Sequence, residues 1–145
     1  DMAPMIFTKS ILNNKSINIY NYGKMYRDFT YISDIIEIIM RLINKPPKEN
    51  KNYLNIQPEP NLSWAPYQIF NIGNSNPVNL EKFVDILELE LDKSAIKNYI
   101  EMQPGEVEMT YADTDLITKI TGFKPNTSIE AGIKKFVKWY KNYYS

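Results

Sequence analysis

Two residue types are missing from this 145-residue chain, cysteine and histidine. Without cysteine there are no disulfides and no thiolate chemistry, and without histidine the commonest metal ligand and general base is gone. Zinc sites built on those ligands and Ser-His-Asp triads are therefore excluded. Glycine is scarce, with five residues at 23, 73, 105, 122 and 132, none close enough to another to form a phosphate-cradling turn. A charge excess is also lacking. Seventeen basic and seventeen acidic side chains cancel, leaving no global field to attract nucleic acid or an anionic membrane. No apolar run approaches the roughly 20 residues needed to span a bilayer, so the expected compartment is the cytoplasm.

What is present is core-forming material. Hydrophobic residues make up 43% of the chain, enough for one compact domain at this length. Helical and extended patterns alternate without a repeat, which predicts an α/β fold of short strands and helices. Residues 2–13 read as a helix, 17–20 as a strand and 21–24 as a turn. A strand is expected over 27–32, closed by Asp34 at the start of a helix, with Glu37 placed for a capping box. In that helix Ile35, Ile36, Ile38, Ile39, Met40, Leu42 and Ile43 are apolar nearly all round, which predicts burial on more than one side. Five of the nine prolines fall in 46–66, predicting an irregular surface excursion with Trp64 pinning its far end.

Residues 68–72 read as a buried strand stopping at Gly73-Asn74. Asn79 then caps a helix burying Leu80, Phe83, Val84, Leu87 and Leu91. A short strand over 97–102 leads into the turn Gln103-Pro104-Gly105. A helix over 114–121 is stopped by Gly122, with Pro125 forbidding its continuation. Ser128 caps the last helix, in which Ile129, Ile133, Phe136, Val137 and Tyr140 recur at helical spacing while Lys134, Lys135, Lys138 and Lys141 form a solvated face.

The segment Met25-Tyr-Arg-Asp-Phe-Thr-Tyr-Ile-Ser-Asp34 carries the most chemistry. It sets a single unpaired guanidinium, Arg27, on a strand, and a planar fork of donors held rigidly suits a phosphate. The alternative is an ordinary surface ion pair with a nearby acid. This stretch resembles the Arg-Asp-Phe/Tyr-x-x-Val-x-Asp signature of extended short-chain dehydrogenases/reductases, the family of nucleotide-sugar epimerases and dehydratases. Asp1-Met2-Ala3, the helix before Asn13, the run from Pro66 to Ser75, Met102-Gln-Pro-Gly-Glu106, Tyr111-Ala-Asp113, Gly122-Phe-Lys-Pro125 and the last helix to Trp139-Tyr140 occur in matching order. The likeness covers essentially the whole chain and looks closest to the UDP-glucuronate 4-epimerases of capsule and lipopolysaccharide pathways.

The resemblance implies that residues 1–145 are the carboxy-terminal, substrate-binding portion of such an enzyme. The NAD-binding Rossmann domain is expected to lie outside the chain, in cis or as a separate partner chain, and the start at Asp1 to reflect cleavage or truncation. Elements that would complete the Rossmann sheet are then left partly uncovered, so self-association is expected. NAD belongs to the complete enzyme, and this chain alone is expected to bind none and to be inactive. The family's Tyr-x-x-x-Lys pair puts a lysine beside a tyrosine on one helix. Tyr20 and Lys24 match it literally, but Asn21 and Gly23 place them across a strand-to-turn junction, and the family's pair lies upstream of the resembling region.

No catalytic residue is therefore assigned. The resemblance instead marks a UDP-sugar site. Asn18 (through its backbone) and Tyr20 correspond to the segment flanking the uracil, Arg27 to the diphosphate-binding arginine, and Glu106 to an Asp suited to ribose hydroxyls. Gln103 falls where galactose epimerases carry a second phosphate-binding arginine and the glucuronate branch often has glutamine. Tyr111 is expected over the nucleotide. For Tyr20 and Tyr111 the alternative is core packing. For the chain as a whole, the alternatives are a dehydratase or decarboxylase of the same family and a non-catalytic split-gene remnant or interaction module.

Overall fold

The computed structural model describes residues 2–53 and 59–144; Asp1 and residues 54–58 of the proline-rich excursion lie outside the described residues. The chain is α/β and divides into two compact units, one of residues 1–29, 76–111 and 127–145, the other of 30–75 and 112–126.

In the first unit, helix α1 (Ala3–Leu12) leads into strand β1 (Ser16–Ile19), which pairs in parallel with β4 (Ile96–Tyr99), Ile17 opposite Lys97. Tyr20–Gly23 form a tight 3-10 turn with Asn21 and Tyr22 at left-handed φ. Tyr20 and Lys24 thus share no α-helix. The strand expected over 27–32 is only Tyr26–Arg27 (β2), paired antiparallel with Val78–Asn79 (β3). Asn79 caps α3 (Leu80–Leu91), its Oδ1 accepting from the N–H groups of Glu81 and Lys82. Ser128 Oγ accepts from Ala131 N–H at the start of α5 (Ile129–Tyr144).

The core follows the helical and strand periods read from the sequence. Phe7, Ile11, Ile17, Ile19, Phe83, Val84, Leu87, Ile133 and Val137 form one buried cluster. Phe29 stacks on Phe83 with centroids 4.8 Å apart. Lys97, on β4, lies within 4 Å of three carboxylates of α3, at 3.8 Å from Glu81, 3.2 Å from Asp85 and 3.2 Å from Glu88. Partial burial pushes the Lys97 pKa down, but hydrogen bonds to Asp85 and Glu88 outweigh it and hold the ammonium above its ordinary value.

In the second unit, α2 begins at Ile32 (Ile32–Ile43), three residues earlier than the sequence pattern predicts, and Tyr31 rather than Asp34 holds the N-cap position. Asp34 is therefore inside the first turn and forms no capping box with Glu37. It is buried and its Oδ2 accepts from Asn126 N–H at 3.0 Å. Glu37 pairs instead with Arg41 one turn on. Arg41 also donates to Thr121 O and lies over the Phe123 ring, fastening α2 to the end of α4 (Asp115–Thr121), which Gly122 terminates in the left-handed region.

Two expectations fail here. Residues 68–72 form no strand; among the described residues this stretch has a single bridge, Gln68 to Leu62, and Ile69 is half exposed. An extended apolar run becomes a strand only when a neighbour supplies the ladder. Trp64 does not pin the excursion with its ring, which is exposed; its carbonyl accepts from Asn50 N–H.

Helix α2 is apolar on two sides, but the expected burial on more than one side fails: among the described residues only one side is buried. Ile38 is fully buried, whereas Ile32, Ile36, Ile39 and Ile43 are 43–64% exposed and recur at spacings of four, three and four, a continuous stripe. A stripe of this kind drives association in water. The 145-residue chain should therefore form dimers or larger species by light scattering, and Ile36→Glu combined with Ile43→Glu should shift it toward monomer. A parent chain that stays monodisperse and monomeric at high concentration would contradict this.

Candidate functional site

Arg27 is held in place by backbone pairing on both sides of β2. On one side, Leu80 N–H donates to Met25 O at 2.9 Å where β3 turns into α3; on the other, Tyr26 N–H donates to Glu108 O at 2.8 Å and Thr110 N–H to Tyr26 O at 3.2 Å. Asp28 continues the bracing: its N–H donates to Thr110 Oγ1 and its Oδ1 accepts from Asn76 N–H. Met25 beneath is buried. The guanidinium thus starts from a fixed point, as a phosphate-gripping arginine requires.

The guanidinium is not unpaired, contrary to the expectation from sequence. Nη2 lies 3.3 Å from Glu106 Oε2, and Nη1 donates to Tyr26 O at 3.0 Å and Glu108 O at 3.3 Å. The reason is topological. The 103–106 turn, closed by Glu106 N–H donating to Gln103 O with Gly105 at φ +86, delivers the carboxylate across the unit from 79 residues away. Both side chains remain about one third exposed, so the pair is modest in energy, at most about 1 kcal/mol.

Arg27 and Glu106 line a cavity of about 700 Å³ together with Asn18 and Tyr20. Its apolar wall is formed by Ala3, Ile6 and Phe7 of α1, Ile17 of β1 and Leu80 at the start of α3. Four of the six residues selected from the sequence therefore share one cavity. A fifth, Gln103, joins them through a hydrogen bond from Nε2 to the Tyr20 hydroxyl at 3.0 Å. Tyr20 packs on the core and also lines the cavity. Asn18 Oδ1 accepts from Asn98 Nδ2 across the β1–β4 pair. Tyr111 does not line the cavity and is 65% exposed.

Sequence reasoning missed Thr110 and Asp28. Thr110 lines the cavity and braces the residue after Arg27; its pairing with β2 is long-range, so no local pattern announces it. Among the described residues, the lining carries one cation, Arg27, against two carboxylates, Asp28 and Glu106. An extended ligand with an aromatic ring, hydroxyls and a compact anion matches this set: ring against Tyr20 and the apolar wall, hydroxyls on Glu106, anion on Arg27.

A dinucleotide cofactor does not fit the residues present. Its pyrophosphate needs a glycine-rich strand-to-helix turn, and among the described residues the α-helices are entered through Met2, Tyr31, Asn79, Thr114 and Ser128. Among the described residues no group of three or more His, Cys, Asp or Glu side chains could hold a metal ion, and no helix is long and apolar enough to cross a membrane.

Residues 4–136 match the family described as GDP-mannose 4,6 dehydratase. The chain belongs to that family. Among its relatives, Protein CapI of Staphylococcus aureus is 49% identical over 144 residues, covering 99% of this chain and 43% of the relative. The probable UDP-glucuronate 4-epimerase of Rhizobium meliloti (strain 1021) is 42% identical over 145 residues, covering 99% of this chain and 42% of the relative. The crystal structure of UDP-glucuronic acid 4-epimerase from Bacillus cereus, in complex with UDP-glucuronic acid and NAD, superposes with a TM-score of 0.77 at 27% identity, over 99% of this chain and 41% of that one. The chain spans about two fifths of the length of these family members, and its α/β fold is that of the corresponding portion of the epimerase.

Proposed function

We propose that this chain is the UDP-sugar-binding portion of an NAD-dependent UDP-glucuronate 4-epimerase. The observation that carries the reading is the cavity in which Tyr20, Arg27 and Glu106 converge, one aromatic face, one fork of donors and one acceptor, in a family whose members include the glucuronate epimerases named above. Tyr20 and the apolar wall take the uracil, Arg27 the diphosphate and Glu106 the ribose hydroxyls. Gln103, bonded to the Tyr20 hydroxyl, sets the ring that the base meets.

The contribution of these residues to the reaction is positional. A sugar held through its nucleotide is presented to the reacting groups as if at very high concentration, and the effective molarity gained by such fixation is a large part of an enzyme's rate. Hydride and proton transfer fall to groups that this chain does not supply, which leaves the NAD site and the Tyr-x-x-x-Lys pair to an N-terminal domain.

UDP should therefore stabilise the 145-residue chain increasingly with its concentration, by about 2.7 kcal/mol at a hundredfold excess over its Kd, measured as a rise in the unfolding midpoint. NAD should leave the midpoint unchanged, and UDP-glucuronate should not be turned over. A flat response to UDP would favour a non-catalytic remnant, and turnover by the chain alone would contradict the division of labour.

A further inference from the structure

The guanidinium of Arg27 has five N–H donors in a fixed plane, and the structure limits which of them a ligand can use. Nη1 is committed to two backbone carbonyls, Tyr26 O and Glu108 O. Those bonds orient the plane and close its Nη1 side. A bidentate acceptor needs two parallel donors along one edge, and the edge left is Nε with Nη2. Among the described residues Nε has no partner, while Nη2 is held by Glu106 Oε2 at 3.3 Å, with Met25 Sδ a weak contact at 3.9 Å. Nη2 carries two N–H groups, so a diphosphate that takes this edge shares the nitrogen with Glu106 and sets a second anion beside its carboxylate, which favours moving Glu106 off Nη2.

The displaced carboxylate must then find other donors. It lines the cavity and is about one third exposed, and two carboxylate oxygens match the two hydroxyls of a vicinal diol. A ribonucleoside diphosphate carries such a diol a few bonds from its phosphates. A bare diphosphate carries none, and a 2′-deoxyribonucleotide carries one hydroxyl. From this geometry we infer that Glu106 is a latch on Arg27 that a ribose diol releases, so that sugar recognition and diphosphate grip are coupled and the site selects ribonucleotides over deoxyribonucleotides and free diphosphate. The inference rests on the nucleotide-binding reading above and adds the coupling to it.

The test is calorimetric titration of the 145-residue chain and its variants with UDP, 2′-deoxy-UDP and inorganic pyrophosphate. In the parent chain, UDP should bind about tenfold tighter than 2′-deoxy-UDP, the effect of a lost hydrogen bond to a charged group. Glu106→Gln should bind pyrophosphate about three- to fivefold tighter than the parent, because the competing ion pair is gone, and should lose most of the preference for UDP over 2′-deoxy-UDP. These opposite signs separate a latch from a structural residue, whose loss would weaken all three ligands together. Glu106→Asp, one methylene shorter, should tighten pyrophosphate in the same direction and serves if the Gln variant does not fold. If UDP binds and depends on Arg27 but pyrophosphate affinity is unchanged or weaker in both Glu106 variants, the coupling is overturned and the nucleotide reading stands. Absent UDP binding, or UDP binding unaffected by Arg27→Ala, overturns the nucleotide reading itself.

Discussion

Arg27→Lys should weaken UDP binding by about 1–3 kcal/mol, and Arg27→Ala by at least as much, while the fold survives both changes. Lysine keeps the positive charge but offers one compact ammonium in place of a planar fork, so the paired donors facing the diphosphate are lost. The lost donors also leave Tyr26 O and Glu108 O, which Nη1 now serves, and Glu106 without its ion pair. That stability cost should stay near 1 kcal/mol because the pair is partly exposed. Thermal unfolding must therefore be measured beside affinity. If both variants bind UDP as tightly as the parent and melt at the same temperature, Arg27 is a surface strand residue with an ordinary ion pair.

The largest stability effect is expected at Phe83. Its side chain is fully buried, stacked on Phe29 at 4.8 Å and tilted against Phe7 at 6.1 Å, so Phe83→Ala should cost about 3–5 kcal/mol by urea unfolding. The consequence reaches the site. Phe29 and Phe7 both line the cavity, and Phe29 follows Arg27 by two residues, so UDP affinity should fall in Phe83→Ala even under conditions where the variant is folded. Leu89→Ala on the same helix, at a side chain 78% exposed, should change stability by no more than about 0.5 kcal/mol. Equal losses in the two variants would contradict the assigned core.

Locally encoded features were the legible ones. Asn79 before an apolar 3.6-residue period announces α3 because cap and period are both short-range signals, and the same holds for Ser128 and α5. The start of α2 differs from its sequence pattern for a related reason: Asp34 followed by Glu37 looks like a cap, yet Asp34 accepts from Asn126 N–H, 92 residues away. A carboxylate near a helix start serves either role, and only the tertiary partner decides. Residues 68–72 carry the apolar character of a strand but meet one bridge, at Gln68; strand formation is a property of two segments. In the site, the motif around Arg27 was legible through family resemblance. Its carboxylate partner was not, because the 103–106 turn reaches it through the fold.

A nucleoside diphosphate is expected to bind in the cavity that Tyr20, Arg27 and Glu106 line. Titrating UDP into the isotopically labelled 145-residue chain and following backbone amide resonances tests it most directly. Saturable shifts should concentrate at residues 18–20, 27–28 and 103–106, leaving α4 and the exposed stripe of α2 unmoved, and they should vanish in Arg27→Ala. Shifts that fail to saturate, or that map to another surface, would contradict the account.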